Sequence, residues 1–146
     1  MNRKPFSIVA GLIGFLGCAL FSAAAHSASL TVSVTDIDEH SGAIMLAMFD
    51  AAEAYEDGGA PVKAVKIEVT GEEVSVTFDD LDPGRYAIKL YHDANGNGEM
   101  DRNMMGLPSE GYGFSGKGGR FGAPPFDDAA FEINDGDTNA VVIKLR

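Results

Sequence analysis

The chain has 146 residues, room for one ordinary domain, and carries 22 acidic against 11 basic residues for a net charge of −11. A surface this acidic repels phosphate backbones, which argues against a nucleic-acid partner and favours divalent cations. The single cysteine, Cys18, excludes an internal disulfide, so a hydrophobic core must hold the fold, with a metal ion as the obvious supplement.

The first 25 residues read as an export signal. Asn2, Arg3 and Lys4 give a positive start, Phe6 to Phe21 an apolar run, and Ser22 to Ala25 a cluster of small residues. That order is what the export machinery and its peptidase recognise. Cleavage is expected after Ala25, with Ala28 as second choice, leaving residues 26–146 as one domain in the periplasm or outside the cell. An uncleaved anchor competes, since about 20 apolar residues can span a bilayer. The small residues, and the alternating strand that begins at Leu30, argue against it. Leu16-Gly17-Cys18 faintly resembles a lipoprotein site, but the apolar run continues past it through Phe21. Cleavage removes Arg3 and Lys4, so the mature domain holds 9 basic and 22 acidic residues, a net charge of −13. No membrane contact and a monomeric state are expected after cleavage.

From Leu30 the apolar period is two. Leu30, Val32 and Val34 alternate with polar residues and predict a strand with one buried face. Ile44 to Phe49 is apolar on both faces, which predicts a central strand. Asp50 is placed to cap one helical turn over 51–55. Further strands follow over 65–69, 74–78 and 86–91, then 131–133 and 141–145, with Gly, Asn, Asp and Pro turns between them. The expected fold is all-β, a seven-stranded Greek-key β-sandwich. Pro83-Gly84 sets a tight turn, Leu81 plugs the sandwich end and Tyr86 enters the next strand facing inward. The run from Phe78 to Tyr86 resembles the hairpin of transthyretin-like and carboxypeptidase regulatory domains, which implies the same sandwich and says little of function.

Between strands five and six, residues 104–128 form a long crossing rich in glycine and proline, threaded by Tyr112, Phe114, Phe121 and Phe126. A crossing of this length in a compact domain tends to be functional or disordered, and a purely flexible linker would lack such rings. The rings predict a loop folded over one end of the sandwich, able to meet a glycan, a peptide or another envelope protein.

One constellation carries chemistry. In Asp93-Ala94-Asn95-Gly96-Asn97-Gly98-Glu99-Met100-Asp101, side-chain oxygens stand at alternate positions around a glycine turn. Calcium takes six to eight oxygens, and such a loop can wrap it. Against the EF-hand loop, Asp93, Asn95 and Asn97 fill positions one, three and five, and Glu99 supplies a backbone carbonyl. Asp101 fills position nine. Met104 stands where the closing glutamate belongs, and a strand precedes the loop instead of a helix. The closing ligand is therefore expected from Glu110 first, then Asp127 or Asp128. The run is similar to calcium loops in β-sandwich repeats of bacterial adhesins. The competing reading is an acidic Asn/Gly turn without metal.

Asp93 to Asp101, then Gly106-Leu107-Pro108-Ser109-Glu110-Gly111-Tyr112-Gly113-Phe114-Ser115 and Pro124-Pro125-Phe126-Asp127-Asp128-Ala129, together resemble a bacterial family of unknown function numbered 2141. That resemblance implies an exported single domain and no assigned activity.

His92 shares a strand face with Ile88 and Leu90 and is expected to be buried, while His40 is expected in solvent. No serine sits in a nucleophile turn. The leading reading is an exported, non-enzymatic binding or structural module with a calcium loop. A metal-dependent hydrolase using the acidic loop, or a purely structural domain without metal, are the alternatives.

Overall fold

The structure is a computed structural model that describes residues 27–117 and 122–146; the expected signal segment and Phe121 lie outside the described residues. Strand β1 (Ala28–Thr35) is followed by β2 (Ala43–Phe49), the short helix α1 (Ala52–Asp57), β3 (Lys63–Glu68), β4 (Val74–Leu81) and β5 (Gly84–Asp93). Then come β6 (Tyr112–Phe114), a turn of helix α2 (Phe126–Ala129), β7 (Phe131–Ile133) and β8 (Thr138–Lys144).

Two sheets form. One has the order β4-β1-β8, with β1 antiparallel to β4 and parallel to β8. The other has the order β3-β2-β5-β6, with β7 also on β5, and its pairs are antiparallel. Period-two alternation decides which side chains meet between them. Leu30, Val32, Val34, Val74 and Ile143 from the first sheet meet Ile44, Leu46, Met48, Ile88 and Leu90 from the second. Each is buried, and burial of such a side chain stabilises by about 1.5–3 kcal/mol. The two sheets thus make a β-sandwich.

All seven strands read from the sequence are present, and β2 is central, between β3 and β5. Leu81 and Tyr86 are buried as expected, and the Tyr86 hydroxyl donates to the Asp82 carbonyl at 2.8 Å. Three expectations need correction. The described residues hold an eighth strand, β6, inside the crossing. They also hold a second helical turn, α2. Asp50 does not cap α1: its N-cap is Ala51, without a side-chain hydrogen bond, because the chain turns one residue later than read.

The crossing is tied down at defined points. Buried Ser115 accepts the Ile88 N–H at 2.8 Å and donates to the Ala129 carbonyl at 2.7 Å, so one hydroxyl joins β5 to the middle of the crossing and to its far end. Gly113 lets β6 lie on the core, since a Cβ there would come within 2.5 Å of Ile143 Cγ2. Phe126 enters a second apolar cluster with Phe49, Tyr55, Ala87 and Ala129, on the outer side of the β2–β5 pair. Its N–H is held by Glu56 at 2.9 Å.

Candidate functional site

The acidic loop leaves the end of β5 and is closed by its own hydrogen bonds. Asp93 is only 2% exposed, and its two oxygens accept the N–H groups of Asn97 at 3.0 Å and Gly98 at 2.9 Å. Asn95 accepts the Asn97 N–H, and Asn97 accepts the Glu99 N–H, each at 2.9 Å. These local side-chain-to-backbone bonds are what short polar residues do in turns. Asp101 faces both amides, taking Asn95 Nδ2 at 2.5 Å and Asn97 Nδ2 at 3.1 Å.

Glu110 closes the loop from nine residues beyond its end. One oxygen accepts the Ala94 N–H at 3.1 Å and the other the Asp101 N–H at 2.9 Å. Asp93, Asn95, Asn97, Asp101 and Glu110 are therefore brought together, with Glu99 joined through its backbone. Asp127 is not part of the group: it pairs with Arg85 at 2.8 Å. Met104 is fully exposed and away from any packing. Among the described residues, no three His, Cys, Asp or Glu side chains are set as a ready metal cluster; the loop oxygens are occupied by its own N–H groups. Tyr91 records the local charge. Its hydroxyl donates to the Gly98 carbonyl at 2.9 Å, and its ionisation is pushed up by burial first, then by Asp93, Glu110 and Glu99.

His92 and His40 sit as expected. His92 is buried, with Nε2 2.7 Å from the Ser41 carbonyl, and His40 is exposed.

Sequence reasoning missed the second feature. The outer face of the five-stranded sheet carries cross-strand rows: Lys66, Met45, Tyr91 and Tyr112 in one, Ala64, Ala47, Lys89 and Phe114 in the next. Together they floor a groove of about 1040 Å³. Its walls include Met100, Arg102 and the segment Gly106–Pro108, which directly continues the acidic loop. That segment is a small hairpin, closed by Asn103 N–H on the Leu107 carbonyl at 2.8 Å and by an Arg102–Pro108 bridge. Its tip exposes Met104 and Met105. The signal available beforehand was β2 itself, apolar on both faces.

At one end of the groove, Lys89 donates to the Tyr55 carbonyl and lies 4.0 Å from the centre of the Tyr55 ring and 5.8 Å from that of Phe49. Burial pushes its ionisation down, offset in part by Glu56. The cationic head rests on aromatic faces, as such groups do when partly desolvated.

The family described as an uncharacterized protein conserved in bacteria, DUF2141, matches residues 32–141. This chain belongs to that family. The match runs from β1 into β8, so the acidic loop, the hairpin and the groove all lie within the DUF2141 region. No curated protein and no solved structure matches the chain. The DUF2141 assignment brings no activity with it, and the reading of the site rests on its geometry.

Proposed function

We propose that this DUF2141 chain is an exported, non-enzymatic binding module whose groove is walled by a calcium loop. The observation that carries the reading is continuity. Met100 and Arg102 flank Asp101 and both line the groove, so whatever fixes the loop fixes the wall. Asp93, Asn95, Asn97, Asp101 and Glu110 offer side-chain oxygens and Glu99 its carbonyl, the hard oxygen donors calcium prefers. An oxygen that accepts one N–H keeps a lone pair for a cation. With three carboxylates in the set, affinity falls on the order of 10⁻⁵ to 10⁻³ M, the range of extracellular modules. The strand order, with the β1–β2, β3–β4, β4–β5 and β7–β8 connections crossing between sheets, supports a transthyretin-like Greek key.

The test is calorimetric titration of the mature protein with calcium, magnesium and chelator, with hydrogen exchange read across 93–108. Calcium heat at one site, with slowed exchange in that stretch, is expected. No heat and unchanged exchange would reduce the loop to an acidic turn. Mass spectrometry of protein recovered from the exporting cell should show a start at His26 or Ser29. An intact Met1 species held in the membrane would overturn the location.

A further inference from the structure

The groove inverts the charge of the molecule around it. The chain carries twice as many acidic as basic residues, yet the described lining of the groove includes Lys66, Lys89 and Arg102 and no acidic side chain. We propose that the groove binds a single medium-chain fatty carboxylate, its apolar tail laid across the sheet and its carboxylate on Lys89. This rests on reading the groove as a binding site and adds the class of ligand.

Three observations support that occupant. The floor is built from Met45, Ala47, Tyr91, Tyr112 and Phe114, an apolar and aromatic surface. A glycan would need several convergent hydrogen-bonding side chains. Here the Tyr91 hydroxyl is already spent on Gly98. Four strands give the floor a width of about 14 Å at ordinary sheet spacing, so a tail running obliquely from Lys89 on β5 over β2 and β3 is held to medium length.

Lys89 is the anchor because its charge rests on a carbonyl and aromatic faces and has no carboxylate partner. Among the described residues no carboxylate lies within ion-pair distance of it, whereas Lys66 has Glu68 at 3.2 Å. Its bond to the Tyr55 carbonyl uses one donor and leaves two. Glu56 is the acidic neighbour that acts on it, and that carboxylate is held by the Phe126 N–H. A ligand carboxylate would supply the missing countercharge at a group that burial already partly desolvates.

The experiment uses the full mature protein with dodecanoate below its micelle concentration, read by calorimetry, in calcium and in chelator. Dodecanoate should bind at one site, at least tenfold tighter than dodecanol, and dodecyltrimethylammonium should not compete. Shortening the tail to decanoate should weaken binding about fourfold for each buried CH₂ lost. Lys89→Met should cost dodecanoate at least tenfold, and Ala47→Trp, which fills the floor, should abolish binding. Circular dichroism melting confirms that each variant is folded. Equal binding of all three head groups, blocked by Ala47→Trp, would overturn the carboxylate assignment and leave the groove as a binding site. Binding that ignores Ala47→Trp, or no binding of any amphiphile, would overturn the proposal in this groove. Loss of binding only in chelator would tie the site to the calcium loop without altering its ligand class.

Discussion

Glu110 reaches back nine residues to accept the Asp101 N–H at 2.9 Å, while its second oxygen takes the N–H of Ala94 at the other end of the loop. One carboxylate therefore fixes the separation of the loop's two ends. Glu110→Gln keeps the shape but offers one acceptor and one donor, so an N–H is left facing an NH₂ group. The expected cost is about 1–2 kcal/mol by urea unfolding. Exchange of the Ala94 or Asp101 amide should quicken at least tenfold. Unchanged exchange at both would show that Glu110 does not clamp the loop.

Calcium occupancy is read through stability. A ligand that binds only the folded state, at a hundredfold excess over Kd, adds about 2.7 kcal/mol. For a domain of this size that raises the Tm by roughly 5–10 °C. Magnesium should do less, because it holds its waters and demands tighter geometry. Asp101→Asn removes one charge while keeping an acceptor, so the calcium shift should shrink by more than half. A wild-type melting curve indifferent to calcium and chelator would end the metal reading.

Much of the fold was legible because alternation is a direct consequence of strand geometry. Leu30, Val32 and Val34, or Ile88 and Leu90, could face only one way once a core existed. That the polar run folds into a closed turn was legible for a similar reason, and Glu110 does reach it, as an acceptor of two N–H groups; the metal role of these residues stays a proposal. β6 was not legible: three residues, one of them glycine, carry no measurable period. The groove was hidden by the same alternation that revealed the core. Lys66 and Lys89 occupy polar positions of regular strands and read as solvent-facing, although the face they share is walled by the hairpin and, at Lys89, by Tyr55 of α1. Only the second apolar face of β2 pointed to it.

Gly113 tests whether β6 is pinned against the core. Any side chain there meets Ile143 Cγ2 at 2.5 Å and the Lys144 carbonyl at 3.2 Å. The core side chain can shift only by losing its own packing, and overpacking of this kind costs about 1–3 kcal/mol. Gly113→Ala should lower stability by that amount and raise proteolysis in the 111–117 stretch. Stability equal to wild type would mean that β6 can lift off without consequence.

Tyr55 sets the alkaline limit of the fold. It is buried with its hydroxyl lacking any hydrogen-bond partner among the described residues, and burial, aided by Glu56, pushes its ionisation up to about 12 from an ordinary value near 10. Between pH 10 and 12 the unfolded chain has lost this proton while the folded chain retains it. Stability therefore falls as pH rises through that window and is fully present below it. Tyr86 and Tyr91, also pushed up by burial, act in the same direction. Lys89 is pushed down, so its contribution has the opposite sign and lies below its ordinary value near 10.5. Tyr55→Phe should flatten the alkaline fall measured by urea unfolding across pH 9–12. At pH 7 the same change should be neutral or slightly stabilising, because it removes a buried hydroxyl that bonds to nothing. An undiminished alkaline slope, or a clear loss of stability at neutral pH, would show that the hydroxyl has a partner after all.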